Sequence, residues 1–281
     1  MPVVVKNLTH VYALGTPFEK KALDNISFTI EDGEFVGLIG HTGSGKSTLI
    51  QHINALMLPT DGKVIVNGID TMEPKSGLEI RKSVGLVFQY PEYQLFEETI
   101  KKDVAYGPRN LGLKEDEIER RVAHALKTVG IDEDLFNHSP FDLSGGQKRR
   151  VAIAGVLAMQ PKILILDEPS AGLDPQGRAD MRKLIRNIKN EGATVIMVSH
   201  SMDDVSKMCD RIIVMNQGKI ALDAAPAEVF KHSEFLDSIH LGVPAAAKLR
   251  ERLNKNGFQI PDNVYTLDDM KAAIIENLKR R

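Results

Sequence analysis

A chain of 281 residues, 42% hydrophobic and 26% charged, is long enough for one large domain with an appendage and has the composition of an ordinary globular protein rather than a disordered one. Its formal net charge of −2 argues against a dedicated nucleic-acid binder, which needs a clustered positive field; the dense basic spots, Lys148-Arg149-Arg150 and Lys279-Arg280-Arg281, read as a solvated helix face and a tail. A single cysteine, Cys209, excludes an internal disulfide and fits a reducing compartment, the first residues carry no signal-peptide pattern, and no run approaches the ~20 apolar residues that span a bilayer, so a link to a membrane is expected to run through a partner.

Residues 3–8 and 26–30 read as strands, and a turn at Asp32-Gly33 leads into an apolar run of strand length, 34–39. That run delivers the chain to Gly40-His-Thr-Gly-Ser-Gly-Lys46-Ser47, which fits G-x-x-x-x-G-K-[ST], and residues 47–56 continue as a helix. In this strand, loop, helix context Gly40, Gly43 and Gly45 let backbone N–H groups turn inward on a polyphosphate, with the positive end of the helix behind them. Lys46 would reach the β- and γ-phosphates, and the Ser47 hydroxyl would hold a magnesium ion. Alone, the motif also fits an ordinary glycine-rich turn. Residues 63–66 with Asn67-Gly68 read as a strand and tight turn, and 84–88 as a buried strand ending at Gln89.

From residue 90 to about 161 the pattern is helical. Residues 115–129 place Ile118, Val122, Leu126 and Val129 on one face, open with three acidic residues and stop at Gly130. In Leu143-Ser-Gly-Gly-Gln147, Ser144 can cap a helix over 147–159. Gly145 and Gly146, each costing a helix roughly 1 kcal/mol, leave its first N–H groups uncovered, which makes a second phosphate site. Strands return at 163–166, 194–198 and 211–215. The first of these ends in Asp167-Glu168, and the carboxyl ends of parallel strands are where ligands bind. Asp167 would complete the magnesium shell, and Glu168 would orient and deprotonate an attacking water, a task worth about 10²–10⁴-fold in rate. Asp174-Pro175 reads as an N-cap with proline at the first helical position, ahead of a stripe of Met181, Leu184, Ile185 and Ile188 that ends before Gly192. Met208-Cys209 reads as helix core. After a turn at 216–218 and a strand at 219–222 the chain is helical beyond Pro226, and a tail follows with helices at 244–255 and 266–279. In the last helix Leu267, Met270, Ile274, Ile275 and Leu278 share a face, read as a contact with a partner rather than packing on the same chain. Strands alternating with helices imply an α/β protein with a parallel sheet covered on its faces.

Taken together these segments resemble an ATP-binding-cassette ATPase: the phosphate loop at 40–47, Gln89, Leu143-Ser-Gly-Gly-Gln147, the strand ending at Asp167 with adjacent Glu168, the loop Ser170-Ala-Gly-Leu-Asp174, and His200 occur once each, in the family's order. The resemblance implies a P-loop cassette with a RecA-like mixed sheet core, an N-terminal antiparallel β subdomain, a helical subdomain at about 90–160 and a short helical tail, divided as a nucleotide-binding domain over 1–240 and an extension over 241–281. It implies ATP and Mg²⁺ as ligands. Glu168, His200 and Gln89 would be catalytic, with Ser47, Gln89 and Asp167 at the metal. Nucleotide contacts would come from Tyr12, Gly40, His41, Thr42, Gly43, Ser44, Gly45, Lys46, Ser47 and Thr48, and across a dimer interface from Ser144, Gly145, Gly146, Gln147 and Asp174. Tyr12 is expected to stack on adenine, although the strand at 8–12 would also allow it to be core. Without this context Gln89 reads as a surface amide, Asp174 as a helix cap and His200 as a loop histidine.

Val87-Phe-Gln-Tyr-Pro-Glu-Tyr-Gln-Leu-Phe96, Asp103-Val-Ala-Tyr-Gly-Pro108 and Ser139-Pro-Phe-Asp-Leu143 running on to Gly155 are similar to the ATPase subunits of energy-coupling factor transporters, prokaryotic importers of vitamins and of cobalt or nickel ions. That resemblance implies a second ATPase subunit, as homo- or heterodimer, a transmembrane coupling subunit and a substrate-binding membrane subunit. It implies a peripheral position on the cytoplasmic face of the membrane and no nucleic-acid partner. The alternatives are the ATPase of another importer that uses a soluble binding protein, and a soluble cassette protein of chromosomes or ribosomes. The latter is disfavoured by one phosphate loop per chain, no long heptad run and no basic domain.

Overall fold

The computed structural model describes residues 2–280, so Met1 and Arg281, the last member of the basic tail run, lie outside the described residues. Two sheets organise the chain. The first is antiparallel and is built from β1 (Val3–Tyr12), β2 (Lys20–Ile30), and later β4 (Asp61–Val66) and β5 (Ile69–Asp70), in the order β2-β1-β4-β5. Between its halves run β3 (Phe35–Gly40) and α1 (Lys46–Ile53). After α2 (Ser76–Ser83) and β6 (Val84–Val87) come α3 (Ile100–Asn110), α4 (Glu115–Thr128) and α5 (Gly145–Leu157), the helical insert expected from sequence. The chain then alternates through β7 (Ile163–Asp167), α6 (Pro175–Asn190), β8 (Thr194–Val198), α7 (Met202–Met208), β9 (Arg211–Asn216) and β10 (Lys219–Ala224). Four helices close it: α8 (Pro226–Val229), α9 (Ser233–Ser238), α10 (Ala245–Lys255) and α11 (Leu267–Arg280).

The second sheet has the order β10-β9-β3-β8-β7-β6, parallel except for the β9–β10 hairpin. Its inner strands are mostly apolar because both faces are covered: all six residues of β3 and all five of β8 are buried. The period of two sorts them. Ile39, Leu164, Leu166, Val195, Met197 and Val214 join the core formed with the helices, whereas Val36, Leu38, Ile163, Ile165, Ile196 and Ile213 join the core shared with α1 and the antiparallel sheet. The parallel sheet is thus the middle layer between two cores.

Several boundaries differ from expectation for local reasons. α1 starts at Lys46 and stops at Ile53, short of residue 56, because Ala55 turns left-handed (φ 53°) and the Asn54 amide donates to the Val84 carbonyl at 3.1 Å. α5 begins two residues early, at Gly145, because Ser144 and Gln147 close a capping box. α2, without a sequence signal, is buried only at Ser76 and Ile80. In α11 the five apolar residues divide. Met270 is buried against Ala246, Ile260 and Val264 in a small core of the tail, with Ile274 packed beside it, while Leu267, Ile275 and Leu278 are 52%, 45% and 59% exposed.

Candidate nucleotide-binding site

Register alone brings the sequence motifs together. Leu38 pairs with Val198, Val198 with Asp167, and Leu166 with Val87, all in parallel. The loop after Gly40, the residue pair Asp167-Glu168, His200 and Gln89 therefore leave the same edge of the sheet from four neighbouring strands. They line an open cleft of about 380 Å³, completed by Tyr12, Lys20, Ala22, Thr42, Gly43, Gly45, Ser47 and Thr48. Ser144, Gly145, Gly146 and Asp174 are exposed, and neither they nor Gln147 line this cleft.

The loop is held from behind before any ligand arrives. The Gly218 N–H donates to the Ser44 carbonyl at 3.0 Å, and His41 Nε2 lies 3.1 Å from Asn216 Oδ1, so the β9–β10 turn supports the curve. Gly45 has φ 106°, and a Cβ there would lie 2.7 Å from the Ala22 carbonyl oxygen, so the close approach of β2 permits only glycine. Lys46 is buried and its ammonium donates to the carbonyls of Gly40 (2.7 Å) and His41 (3.1 Å).

Tyr12 is at the rim, 37% exposed rather than core, with its hydroxyl 3.0 Å from Thr48 Oγ1. Behind it His10 packs edge-on against its ring (centroids 4.6 Å) and meets the buried His52 through a ring-nitrogen contact of 3.2 Å.

The charges in the cleft perturb one another. Burial lowers the Lys46 ammonium below the usual lysine value, opposed by Glu168 and Asp167. Burial raises Asp167, opposed by Lys46. Glu168 is pushed up to about 7 by burial; the His200 N–H, which donates to Oε2 at 3.3 Å, and Lys46 pull the other way, while Asp167 adds to the rise. Its Oε1 lies 3.3 Å from His200 Nε2 but makes no hydrogen bond among the described residues. His200 is lowered by burial and by Lys46, which leaves it neutral at pH 7. A carboxyl with a value near neutrality, lining a cleft that also holds a lysine, can exchange a proton with water near pH 7.

Ser47, Gln89 and Asp167 supply a hydroxyl, an amide oxygen and a carboxylate at the cleft, hard donors suited to a small divalent cation. The described residues contain no cluster of three or more His, Cys, Asp or Glu, so such a cation would take its remaining ligands from phosphate and water.

At the start of α5, Ser144 Oγ accepts from the Gln147 N–H at 3.3 Å and the Gln147 amide oxygen accepts from the Ser144 N–H at 3.0 Å. The cap uses both side chains and leaves the N–H groups of Gly145 and Gly146 at an exposed helix start. Asp174 caps α6 as expected, accepting from Gly177 at 2.6 Å. Lys20 and Ala22 of the cleft and Asn216 behind the loop were not legible from sequence, since strand and turn positions carry no motif.

A family model described as ABC transporter matches residues 23–171. The energy-coupling factor transporter ATP-binding protein EcfA2 of Clostridium perfringens (strain 13 / Type A) is 58% identical over 99% of both chains, and that of Caldanaerobacter subterraneus 54% identical over 99% of this chain and 98% of its own. Among solved structures, cbiO1 of Clostridium perfringens, part of the ABC transporter complex cbiONQ, is 41% identical, covers 89% of this chain and 98% of its own, and superposes with a TM-score of 0.75. A dimeric ATP-binding cassette in a post-hydrolysis state bound to ADP and Pi is 32% identical over 80% of this chain and 98% of its own, with a TM-score of 0.70.

Proposed function

The chain belongs to the ABC transporter family of ATPases, and from that premise we propose that it is the ATP-hydrolysing subunit of an energy-coupling factor transporter, powering uptake of a vitamin or a transition-metal ion. The observation that carries the mechanism is the split between the cleft, which holds Lys46, Asp167, Glu168, Gln89 and His200, and the exposed helix start at Gly145 and Gly146, which does not line it. A site divided in this way is completed by a second cassette.

Tyr12 stacks on the base, backbone N–H groups of residues 42–46 with Lys46 hold the β- and γ-phosphates, and the partner cassette lays its own helix start over the γ-phosphate. When bound at Ser47, Gln89 and Asp167, Mg²⁺ supplies charge neutralisation at the phosphoryl oxygens. Glu168 accepts the proton of the attacking water, His200 steadies the γ-phosphate side, and loss of the γ-phosphate releases the closed dimer.

No helix among the described residues is long and apolar enough to cross a membrane, and the proposed contact with one is through partners. A groove lined by Leu78, Phe96, Tyr106, Leu111, Val156 and Met159, with Phe96 and Tyr106 stacked edge-on at 5.0 Å, supports docking of a transmembrane coupling subunit just past Gln89. The outward Leu267, Ile275 and Leu278 of α11 support the tail as a contact with the second ATPase. The test is to capture the tagged chain from a detergent extract and assay the assembled complex. Small polytopic membrane proteins and a second ATPase should co-purify, and steady-state ATP hydrolysis should collapse in Glu168→Gln, with the partner's own site also disabled, while nucleotide still binds. Ribosomes or DNA in place of membrane proteins, or normal turnover in that variant, would overturn the reading.

A further inference from the structure

Arg149 sits on α5, two residues past Gln147, with only 3% of its surface exposed. A guanidinium that deep is retained only where its donors are satisfied, since removing its solvation without partners costs several kcal/mol. All three of its nitrogens are used. Nε donates to Glu92 Oε2 at 3.0 Å and Nη2 to Glu92 Oε1 at 2.7 Å, a two-point carboxylate pair. Nη1 donates to the carbonyls of Pro169 (3.3 Å) and Ala171 (2.5 Å), and the guanidinium carbon lies 5.7 Å from the centre of the Tyr90 ring.

These partners belong to two segments, and with the helix of Arg149 itself they make three that meet nowhere else through a single side chain in the described hydrogen bonds. Glu92 is in the 3-10 turn Pro91–Gln94, directly after Gln89. Pro169 and Ala171 belong to the loop that follows Glu168 and leads to Asp174, and Arg149 itself rides on the helix that begins with Gly145 and Gly146. Two of the segments also hold non-glycine residues in left-handed backbone, Tyr90 at φ 55° and Glu168 at φ 52°. Such conformations persist where the surroundings over-determine them, and Arg149 bonds to the chain just beyond each. The Tyr90 ring in turn lies against Gly172, where a Cβ would be 3.7 Å away.

We infer that Arg149 is a positioning residue that fixes the exposed anion site at the start of α5 in register with Gln89 and with the loop carrying Glu168, so that one cassette presents both faces of its composite sites as a single body. None of the residues it touches lines the cleft, so Arg149 makes no direct contribution to nucleotide binding in its own chain. Hydrolysis does, because the water-activating group and the partner's helix start must be in place together, and a displacement near 1 Å can cost about 10²-fold in rate.

The inference rests on the composite-site reading above, and the wild-type complex separates the two: if it hydrolyses no ATP, that reading has failed and Arg149 is not at issue. In the assembled transporter complex, Arg149→Met should lower kcat for ATP at least tenfold while KM, and the affinity of the full chain for a fluorescent ATP analogue, stay within twofold. Arg149→Lys, which can satisfy one partner at a time, should recover part of the rate. Glu92→Gln combined with Arg149→Met should be no slower than Arg149→Met alone, because both break the same link. Should the Arg149→Met complex not assemble, Arg149→Lys and Glu92→Gln carry the test with an expected loss of threefold or more in kcat at unchanged KM. A kcat within twofold of wild type in these variants, or rate and nucleotide affinity falling by the same factor, would overturn the inference; the second result is what a merely structural arginine gives.

Discussion

Replacing Glu168 by glutamine should stabilise the nucleotide-free chain at alkaline pH, against the usual direction of substitutions. Burial raises its carboxyl from the ordinary 4.5 to about 7, with Asp167 adding to the rise and the His200 N–H and Lys46 opposing it. Between those values the unfolded chain has released the proton and the folded chain has kept it. The stability contributed by the protonated group is therefore whole below 4.5, declines as pH rises through the window, and is gone above about 7. Full separation corresponds to roughly 3.4 kcal/mol at about 1.36 kcal/mol per pH unit. Because the side chain keeps 14% exposure on an open cleft, about half of that, ~1.5–2 kcal/mol, is expected. In a chain of this size that is roughly 3–4 °C in Tm at pH 8, falling to about two-fifths of that gap at pH 5. Thermal melts of wild type and Glu168→Gln at pH 5, 6.5 and 8, without nucleotide, measure it directly. An equal gap at all three values, or a lower Tm for the variant at pH 8, refutes the account of a buried carboxyl holding its proton.

Three further outcomes follow from other parts of the molecule. Gly45→Ala forces a Cβ against the Ala22 carbonyl oxygen at a positive φ, so it should cost about 2 kcal/mol or more of stability and remove the Tm rise that ATP gives the wild type. Tyr12→Ala should weaken ATP binding by about 5- to 10-fold in equilibrium titrations, with Tyr12→Phe recovering most of it; unchanged affinity would remove Tyr12 from the base site. Truncation after Gly242 takes away Val243 and Ala247 from the main core as well as the outward face of α11, so it should lower Tm and weaken association with the second ATPase in sedimentation; an intact dimer would dismiss the tail as a contact.

The cleft was legible in sequence because its chemistry is carried by contiguous words. Gly40 to Ser47, Asp167-Glu168 and Gln89 each end a strand that its apolar run reveals, and a parallel sheet puts strand ends on one edge. The exposed helix start at Ser144 was legible for the same reason, since a cap and two glycines are local chemistry. What eluded sequence is long-range. Ala22 matters through its backbone carbonyl, Asn216 through a bond to His41 across 175 residues, and Arg149 through Glu92 and two carbonyls in another loop. Arg149 in particular read as part of a solvated basic face and is instead buried, because three charges in a row do not reveal which one turns inward. The last helix failed as a single stripe for a related reason: Met270 and Ile274 met a neighbour on the same chain, and the other apolar residues did not.

The folded-back Lys46 sets a threshold for what the loop will accept. Its ammonium already holds the Gly40 and His41 carbonyls at 2.7 and 3.1 Å, so an incoming ligand enters by exchange, displacing two charge-assisted bonds of about 1.5–3 kcal/mol each. A lone weak acceptor cannot win that exchange. A terminal phosphate carrying two negative charges offers the charge-assisted acceptors that can replace both bonds, so the folded-back lysine favours ligands by their charge.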